Sequence, residues 1–197
     1  MKPSSSIHTV IAVISFFIIL LFLNLNNFEI QPWDEGLYAI RAKAVLEHKL
    51  YFDQTEYSAG GLYSSTYPPL TVWLLALSMN YLGESPLAIR FFSVIFSILS
   101  LVLIYNISRK IFSIENSLIS IFLLSTTLGW NFYSRQGMTD VPLTFFFLLC
   151  FWASIKIFEA REAKHLALWA AVFSLSFASA LMTKIIISFL PLIFVFT

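Results

Sequence analysis

Two adjacent carboxylates are the first residues in this chain whose types and spacing suit chemistry. Asp34 and Glu35 open a stretch ending at His48 that we predict to be helical, and helical spacing places Asp34, Tyr38 and Arg41 along one face. A carboxylate, a phenol and a guanidinium on one face suit proton transfer beside a phosphate group. Acidic side chains also stabilise a helix N-terminus, and spacing alone favours that structural role.

Asp140 and Lys184 form a second candidate group. Asp140 lies in the polar connection that begins at Arg135, two residues before Pro142, where it either caps the following helix or takes part in chemistry. Lys184 stands between two apolar runs, and a lysine there either extends its ammonium to the membrane surface or binds a ligand. Both interpretations stay open for both residues.

The segments that must position these residues are too apolar for a soluble protein. Of 197 residues, 58% are hydrophobic and only 12% are charged, whereas soluble domains carry about 25% charged residues. Lipid must therefore solvate much of the chain, and we predict an all-α, polytopic membrane protein. No basic cluster interleaved with aromatic residues points to nucleic acid. The single cysteine, Cys150, excludes an intrachain disulfide and a thiolate metal site, and no metal-ligand spacing occurs.

Apolar runs long enough to cross a bilayer recur along the sequence. We predict about five full spans and a sixth run that ends with the chain, and we expect the first to be an uncleaved span rather than a signal peptide. The spans are Ile7–Leu25, Leu87–Ile107, Ser117–Tyr133, Val141–Phe158 and Leu166–Thr183, and the sixth run is Ile185–Thr197.

The short apolar segment Pro68–Leu82 decides the topology. If it does not span, the N-terminus and both basic clusters, within residues 109–116 and 156–165, lie on the cytoplasmic side, as the positive-inside rule requires. We therefore predict that Pro68–Leu82 lies along the outer surface, in an extracytoplasmic first loop of residues 26–86 with juxtamembrane helices. Most acidic residues then fall on that outer side, so any chemistry belongs there.

Arg90 is the only charge in its predicted span, near the start of the span. Because it follows the polar outer loop, we expect it at the outer interface, where Glu84 is a candidate partner. We also expect Asp34 and Asp140 to approach one outer cavity, although more than a hundred residues separate them.

A series of short motifs occurs in a characteristic order. They are Asp34-Glu35, Tyr67-Pro68-Pro69-Leu70 with Trp73-Leu74, Ala88-Ile89-Arg90, Ser108-Arg109-Lys110-Ile111-Phe112, Met138-Thr139-Asp140-Val141-Pro142-Leu143 and Met182-Thr183-Lys184. In this order the chain resembles the N-terminal part of a GT-C type glycosyltransferase of the protein-mannosyltransferase and aminoarabinose-transferase group. The resemblance covers essentially all of residues 1–197.

The resemblance implies transfer of a sugar from a polyprenyl-phosphate donor to a glycan, lipid or protein acceptor on the extracytoplasmic face. It implies that Asp34 is the catalytic base or acceptor-orienting carboxylate, and it places Asp140 at the same cavity, with Glu35 counted among the catalytic residues. The implied mechanism is a single displacement with inversion, in which cationic side chains stabilise the leaving phosphate. No nucleotide is needed, and a divalent cation is left open.

Some positions depart from the pattern of relatives. Tyr67 and Leu37 stand where some relatives have Lys and Arg, and Ile185 replaces a frequent Gly. The phosphate contact then falls to Arg41, Arg135 or Lys184, with Tyr38 and Tyr67 as further substrate-binding candidates. Relatives also continue beyond the sixth span, so activity of residues 1–197 alone is doubtful.

Other function classes remain open. One alternative is a non-enzymatic membrane component, such as a transporter half or an assembly subunit. Transport paths usually place ionisable residues in mid-span. Here the spans are clean and polar groups gather outside, which favours surface chemistry on a lipid-borne substrate. An inactive remnant is the third alternative.

Overall fold

The structure is a computed structural model that describes residues 3–52 and 68–192. Within these ranges the chain is helical, and no strand occurs. In chain order the helices are α1 (Pro3–Phe22), α2 (Asp34–His48), α3 (Leu70–Leu82), α4 (Pro86–Ile111), α5 (Ile114–Thr126), α6 (Leu128–Ser134), α7 (Asp140–Glu159) and α8 (Ala163–Leu181), followed by a short 3-10 helix, Ile187–Phe189.

Three of these helices, α4, α7 and α8, are long and apolar enough to cross a membrane. Both ends of α4 carry residues that favour a helix terminus. The Ser85 side chain accepts from the backbone N–H of Ala88, Pro86 is the first helical residue, and Arg109 and Lys110 occupy the last turn. The prediction of an all-α, polytopic membrane protein is confirmed. The apolar helices α3 and α5 are shorter, at 13 residues each.

The predicted span Ser117–Tyr133 is interrupted, since α5 ends at Thr126 and α6 begins at Leu128. The hydroxyls of Thr126 and Thr127 bond carbonyls one turn earlier, and the side-chain amide of Asn131 donates to Ser125 O at 2.6 Å. Side-chain groups thus take over carbonyls that a continuous helix would bond through its backbone, which breaks the helix.

The helix predicted from Asp34 to His48 has these bounds in the structure. It packs against α3, and a core of mainly small and aliphatic residues, with Tyr38 and Met79, joins both to the start of α4. Ser78 of α3 donates to the carbonyl of Ala88 in α4 at 2.5 Å. At 13 residues α3 is too short to cross a bilayer, in keeping with the surface position expected for Pro68–Leu82.

Contacts between helix ends show how the long helices are arranged. Lys110 at the end of α4 pairs with Glu159 at the end of α7, so these two helices run in the same direction. The short connection to Ala163 returns α8 antiparallel to α7. The starts of α4 and α7 and the end of α8 therefore share one end of the bundle, which α2 and α3 cover, and residues 109–116 and 156–165 lie at the other.

This arrangement gives the topology prediction a direct test. Ser113 and Ala163 are both exposed in the structure and lie at the basic end of the bundle, which the positive-inside rule assigns to the cytoplasm. Cysteine introduced at either position should therefore resist an impermeant thiol reagent in intact cells. Cysteine at the exposed Tyr81, on the α2–α3 side, should react readily. The native Cys150 is buried and gives little background. Fast labelling at Ser113 or Ala163 with protection at Tyr81 would reverse the orientation.

Candidate functional site

A buried arginine at the start of α4 holds the polar end of the bundle together. Arg90 is 2% exposed, and its Nε and one Nη bind the two carboxylate oxygens of Glu35 at 2.8 Å each. Its other N–H groups donate to three backbone carbonyls between α1 and α2 at 2.8–3.1 Å, those of Leu25, Phe28 and Glu29. Every donor of this guanidinium is thereby satisfied, as a buried charge requires.

Glu84, the candidate partner of Arg90 from the sequence, does not pair with it. Glu84 is half exposed and binds Lys43 of α2 at 2.8 Å. A guanidinium removed from water needs a carboxylate that is equally buried and can bind two of its donors at once, and Glu35 provides both.

Glu35 also links Arg90 and the start of α2 to the connection between α6 and α7. Beyond Arg90, its carboxylate accepts the backbone N–H of Gln31 at 2.7 Å and that of Gly137 at 2.9 Å. Gly137 lies in the connection between α6 and α7, about a hundred residues away in sequence. One carboxylate therefore fixes the turn before α2 against the loop that leads into Asp140.

Gly137 can occupy this place only without a side chain. A Cβ atom there would lie 2.8 Å from the carbonyl oxygen of Ile89 and would overlap the side chain of the same residue. The backbone of the loop consequently packs directly on α4, next to Arg90, which keeps the Gly137 N–H within reach of Glu35.

The turn before α2 decides which of the two adjacent carboxylates faces inward. Trp33 has φ 73° and ψ −116°, a conformation that costs a bulky residue about 1–3 kcal/mol. Its carbonyl accepts from Leu37 N at 2.7 Å, and Gln31 is held by both Glu35 and the Gly36 N–H. This turn sends the Glu35 side chain into the protein and leaves the Asp34 side chain exposed.

Asp140 and Lys184 form a contact that neither motif revealed by itself. Asp140 is the first residue of α7, and its carboxylate accepts from Lys184 Nζ at 3.3 Å. The N-cap position belongs to Thr139, so the capping interpretation of Asp140 is wrong. The segment carrying Lys184 is attached to α3, because Leu70 N donates to Met182 O at 3.0 Å.

A cavity of about 530 Å³ lies beside this ion pair. Its walls come from α2, the residues just before α3 and the segment after α8. Its lining residues are Tyr38, Pro68, Thr183, Lys184 and residues 185–187. Tyr38 and Lys184, predicted from separate motifs, thus meet at one cavity. Asp34 lies one helical turn before Tyr38, and Asp140 binds Lys184, so that each predicted catalytic aspartate is adjacent to one wall. That both face this cavity stays a prediction.

The remaining predicted binding residues have different surroundings. Arg41 is buried in α2, with its guanidinium carbon 5.9 Å from the centre of the Tyr38 ring. Arg135 donates to the carbonyls of Leu20 and Leu23 at 2.9 and 2.7 Å, and so covers the C-terminus of α1. Burial, assisted by the positive charge of Arg90, lowers the pKa of Arg135. Tyr67 lies outside the described residues.

A second, larger cavity of about 700 Å³ lies between α2 and α3. Its lining is mainly apolar, with Trp73 and Leu77 on one side and Val45 and Leu46 on the other, and Lys49 at its edge. Neither Tyr38 nor Lys184 lines this larger cavity, so the smaller one remains the candidate site. Within residues 3–52 and 68–192, no three His, Cys, Asp or Glu side chains converge as metal ligands.

Sequence reasoning identified Glu35 but not its partners, Arg90 and Gly137. The signal was present for Arg90, since a lone charge in an apolar span requires a buried partner. Nothing comparable distinguishes Gly137 within its loop, because the close approach to Ile89 arises only when α4 and that loop pack together.

A model of the family described as dolichyl-phosphate-mannose-protein mannosyltransferase matches residues 66–197. An "Uncharacterized protein" of Aquifex aeolicus (strain VF5) is 29% identical over 162 residues, which are 82% of this chain and 32% of that protein. The chain thus spans about a third of the length of the curated relative it matches.

The fold is similar to a solved structure, the crystal structure of ArnT from Cupriavidus metallidurans in the apo state. The TM-score is 0.76 over 94% of this chain and 34% of that chain, with 14% sequence identity. At this identity the likeness concerns the fold alone.

The buried pair generates a stability prediction. Glu35→Gln should destabilise the protein by roughly 3–5 kcal/mol, because it leaves the Arg90 guanidinium buried without an opposite charge. The melting temperature of the purified protein in detergent measures the effect. Glu84→Gln removes a carboxylate from the exposed pair with Lys43 and should change little. Equal melting temperatures for the two variants would contradict the importance assigned to the buried pair.

The close packing of Gly137 against α4 generates a second stability prediction. Gly137→Ala should lower stability by about 1–3 kcal/mol, since the new methyl group forces the loop away from Ile89. Gly129→Ala is the matched control, because a Cβ at that position meets no atom of the described residues within 4 Å. Melting curves of both variants, recorded beside the unsubstituted protein, test the difference. An unchanged melting temperature for Gly137→Ala would refute the close packing of Gly137 against Ile89.

Proposed function

The chain belongs to the dolichyl-phosphate-mannose-protein mannosyltransferase family, and from that premise we propose that it transfers a sugar from a polyprenyl-phosphate donor to an acceptor hydroxyl on the extracytoplasmic face. The observation that carries the proposal is the cavity shared by Tyr38 and Lys184, with Asp140 bound to Lys184. It brings together residues from three separate motifs at the polar end of an apolar bundle.

Asp34 is the general base in this proposal. It is exposed, and its carboxylate makes no hydrogen bond or ion pair with residues 3–52 or 68–192, which leaves both oxygens available to an acceptor hydroxyl. Glu35 has the opposite environment, since four hydrogen bonds occupy its carboxylate. We therefore assign proton transfer to Asp34 and positioning of the α2 turn to Glu35.

The reaction is a single displacement. Asp34 accepts the proton of the acceptor hydroxyl as its oxygen bonds to the anomeric carbon of the donor sugar. The bond between that carbon and the phosphate oxygen breaks, and the polyprenyl phosphate leaves with the electron pair, so the anomeric configuration inverts. Both substrates must be held in line, and this alignment lowers the barrier independently of the proton transfer.

Lys184 is the side chain best placed to stabilise the leaving phosphate. It lines the cavity with 47% of its side chain exposed, and only one of its three N–H donors binds Asp140. The Arg135 guanidinium is occupied at α1, and Arg41 is buried in α2 with its guanidinium over the Tyr38 ring. Asp140 then acts by orienting the Lys184 ammonium.

The polyprenyl chain needs an apolar surface beside the cavity. The larger cavity between α2 and α3, lined by Leu70, Trp73 and Leu74, offers such a surface, and Leu70 is two residues from Pro68 of the smaller cavity. This neighbourhood supports a donor whose phosphate lies near Lys184 while its isoprene units extend along α3.

The proposal is tested on the base. In a form of the protein that transfers sugar, Asp34→Asn should lower turnover by about 10²–10⁴ because the amide keeps the shape but cannot accept the proton. Radioactive sugar transferred from a polyprenyl-phosphate donor in membranes measures turnover. Glu47→Gln, which changes an exposed carboxylate at the other end of α2, is the control and should retain full turnover.

Expression and melting temperature of the Asp34→Asn protein should match those of the parent, because Asp34 lies outside the buried network. Near-normal turnover in that variant would refute the assignment of the base. Absence of any sugar transfer by the parent protein, with the polyprenyl-phosphate donor and glycan, lipid and protein acceptors supplied, would refute the proposed reaction itself.

A further inference from the structure

The end of the bundle opposite the candidate site carries a compact arrangement of charged and aromatic side chains. The ammonium groups of Lys110 and Lys156 both bind the carboxylate of Glu159, at 2.6 and 3.1 Å. Both also lie over the ring of Trp152, at 5.9 and 4.7 Å from a ring centroid. We refer to these four residues, from α4 and α7, as the Trp152 cluster.

A cavity of about 260 Å³ adjoins the Trp152 cluster. Lys156 and Glu159 form one wall, and His165 and Trp169 of α8 form the other, with Ala160 between them. The cavity is therefore a cleft between two neighbouring apolar helices, with a cation and an indole ring at its mouth. It is distinct from the Tyr38–Lys184 cavity, which lies at the other end of α7 and α8.

The depth of the cleft matches the headgroup layer of a membrane. Trp152 is seven residues from the end of α7 and Trp169 is six from the start of α8, which is about 10 Å at 1.5 Å per residue. Tryptophan is enriched at this level of a bilayer, between headgroups and acyl chains. The lysine side chains reach the same level from the helix ends.

The charge of this end favours an anion. Residues 109–116 and 156–165 contain five Lys or Arg and three Glu, so the balance is positive. Each ammonium has three N–H donors and gives only one of them to Glu159. Glu159 and the Trp152 ring thus hold two ammonium groups with donors still available. Arg161 precedes α8 and Lys164 lies in its first turn, so both add positive charge to this end of the bundle.

We propose that this cleft binds the phosphodiester headgroup of an anionic phospholipid. Basic clefts between membrane helices recognise such headgroups because the lysines meet the phosphate while the acyl chains remain along the apolar helices. The phosphate contacts Lys156 and Lys110, and the glycerol portion lies against Trp169. This site fixes α4, α7 and α8 relative to the anionic leaflet and does not depend on the proposed sugar transfer.

Native mass spectrometry of the purified full chain, released from micelles containing phosphatidylglycerol and phosphatidylcholine, tests the site. The unsubstituted protein should retain phosphatidylglycerol in preference to phosphatidylcholine. Lys156→Gln should weaken retention about fivefold, and Lys110→Gln with Lys156→Gln roughly 25-fold, the size expected for one basic side chain at a time. Lys43→Gln, in the Lys43–Glu84 pair at the opposite end, should leave retention unchanged.

Glu159→Gln separates lipid binding from a structural role of the cluster. It removes the competing carboxylate, so retention of phosphatidylglycerol should rise even though two ion pairs are lost. A fall in retention would show that the cluster acts only through its structure. Lys156→Arg preserves the charge and should preserve retention, which keeps the test valid if a glutamine variant does not fold.

Competition with soluble anions identifies the source of the phosphate. Inorganic phosphate and glycerol phosphate should displace phosphatidylglycerol only at far higher concentrations, because they lack the acyl chains. Displacement at equal concentration would overturn the assignment to a lipid. Equal retention by the parent and the double lysine variant, or an equal loss in Lys43→Gln, would overturn the site.

Discussion

The buried ion pair between Glu35 and Arg90 is the interaction on which the polar end of this protein depends. Removing two charges from water costs several kcal/mol for each ion, and the cost is offset only where every donor and acceptor finds a partner. Here the partners are the α1–α2 connection, the first turn of α2 and the backbone of Gly137. Meeting that requirement forces these distant segments into one arrangement.

The same pair explains how two neighbouring carboxylates acquire different surroundings. Adjacent helix residues point about 100° apart, so only one of Asp34 and Glu35 can enter the network. The positive φ of Trp33 places Glu35 inside and leaves Asp34 in solvent. In the proposed reaction this arrangement is useful, because a base must be accessible, while the group that positions it must be fully bonded.

The two ends of the bundle use ion pairs in different ways. At the α2–α3 end, the Glu35–Arg90 pair is dry, and Lys184 with Asp140 lies at a cavity wall. At the other end, Glu159 joins Lys110 and Lys156 in a partly exposed cluster. Exposed pairs contribute little stability and leave their charges accessible to ligands, whereas the buried pair contributes through the geometry it imposes.

Composition and hydropathy were sufficient to predict the membrane class, the helical architecture and most helix positions. These features depend on local properties: the apolar run that becomes α4 must be helical in lipid because no water is there to bond its backbone. The bounds of α2 followed from local signals as well, in the acidic first turn and the apolar spacing after it. The break at Thr127 was missed because it depends on hydroxyl and amide bonds to specific carbonyls.

The candidate site was predicted in its residue types but not in its contacts. Tyr38 and Lys184 were chosen from separate motifs, and only packing of α2, α3 and the segment after α8 brings them to one cavity. Sequence alone offered Glu84 as the partner of Arg90, since it is near in the chain. The tertiary structure selected Glu35 because a desolvated guanidinium is stabilised by a carboxylate buried with it, and burial is decided by the packing of helices rather than by distance along the sequence.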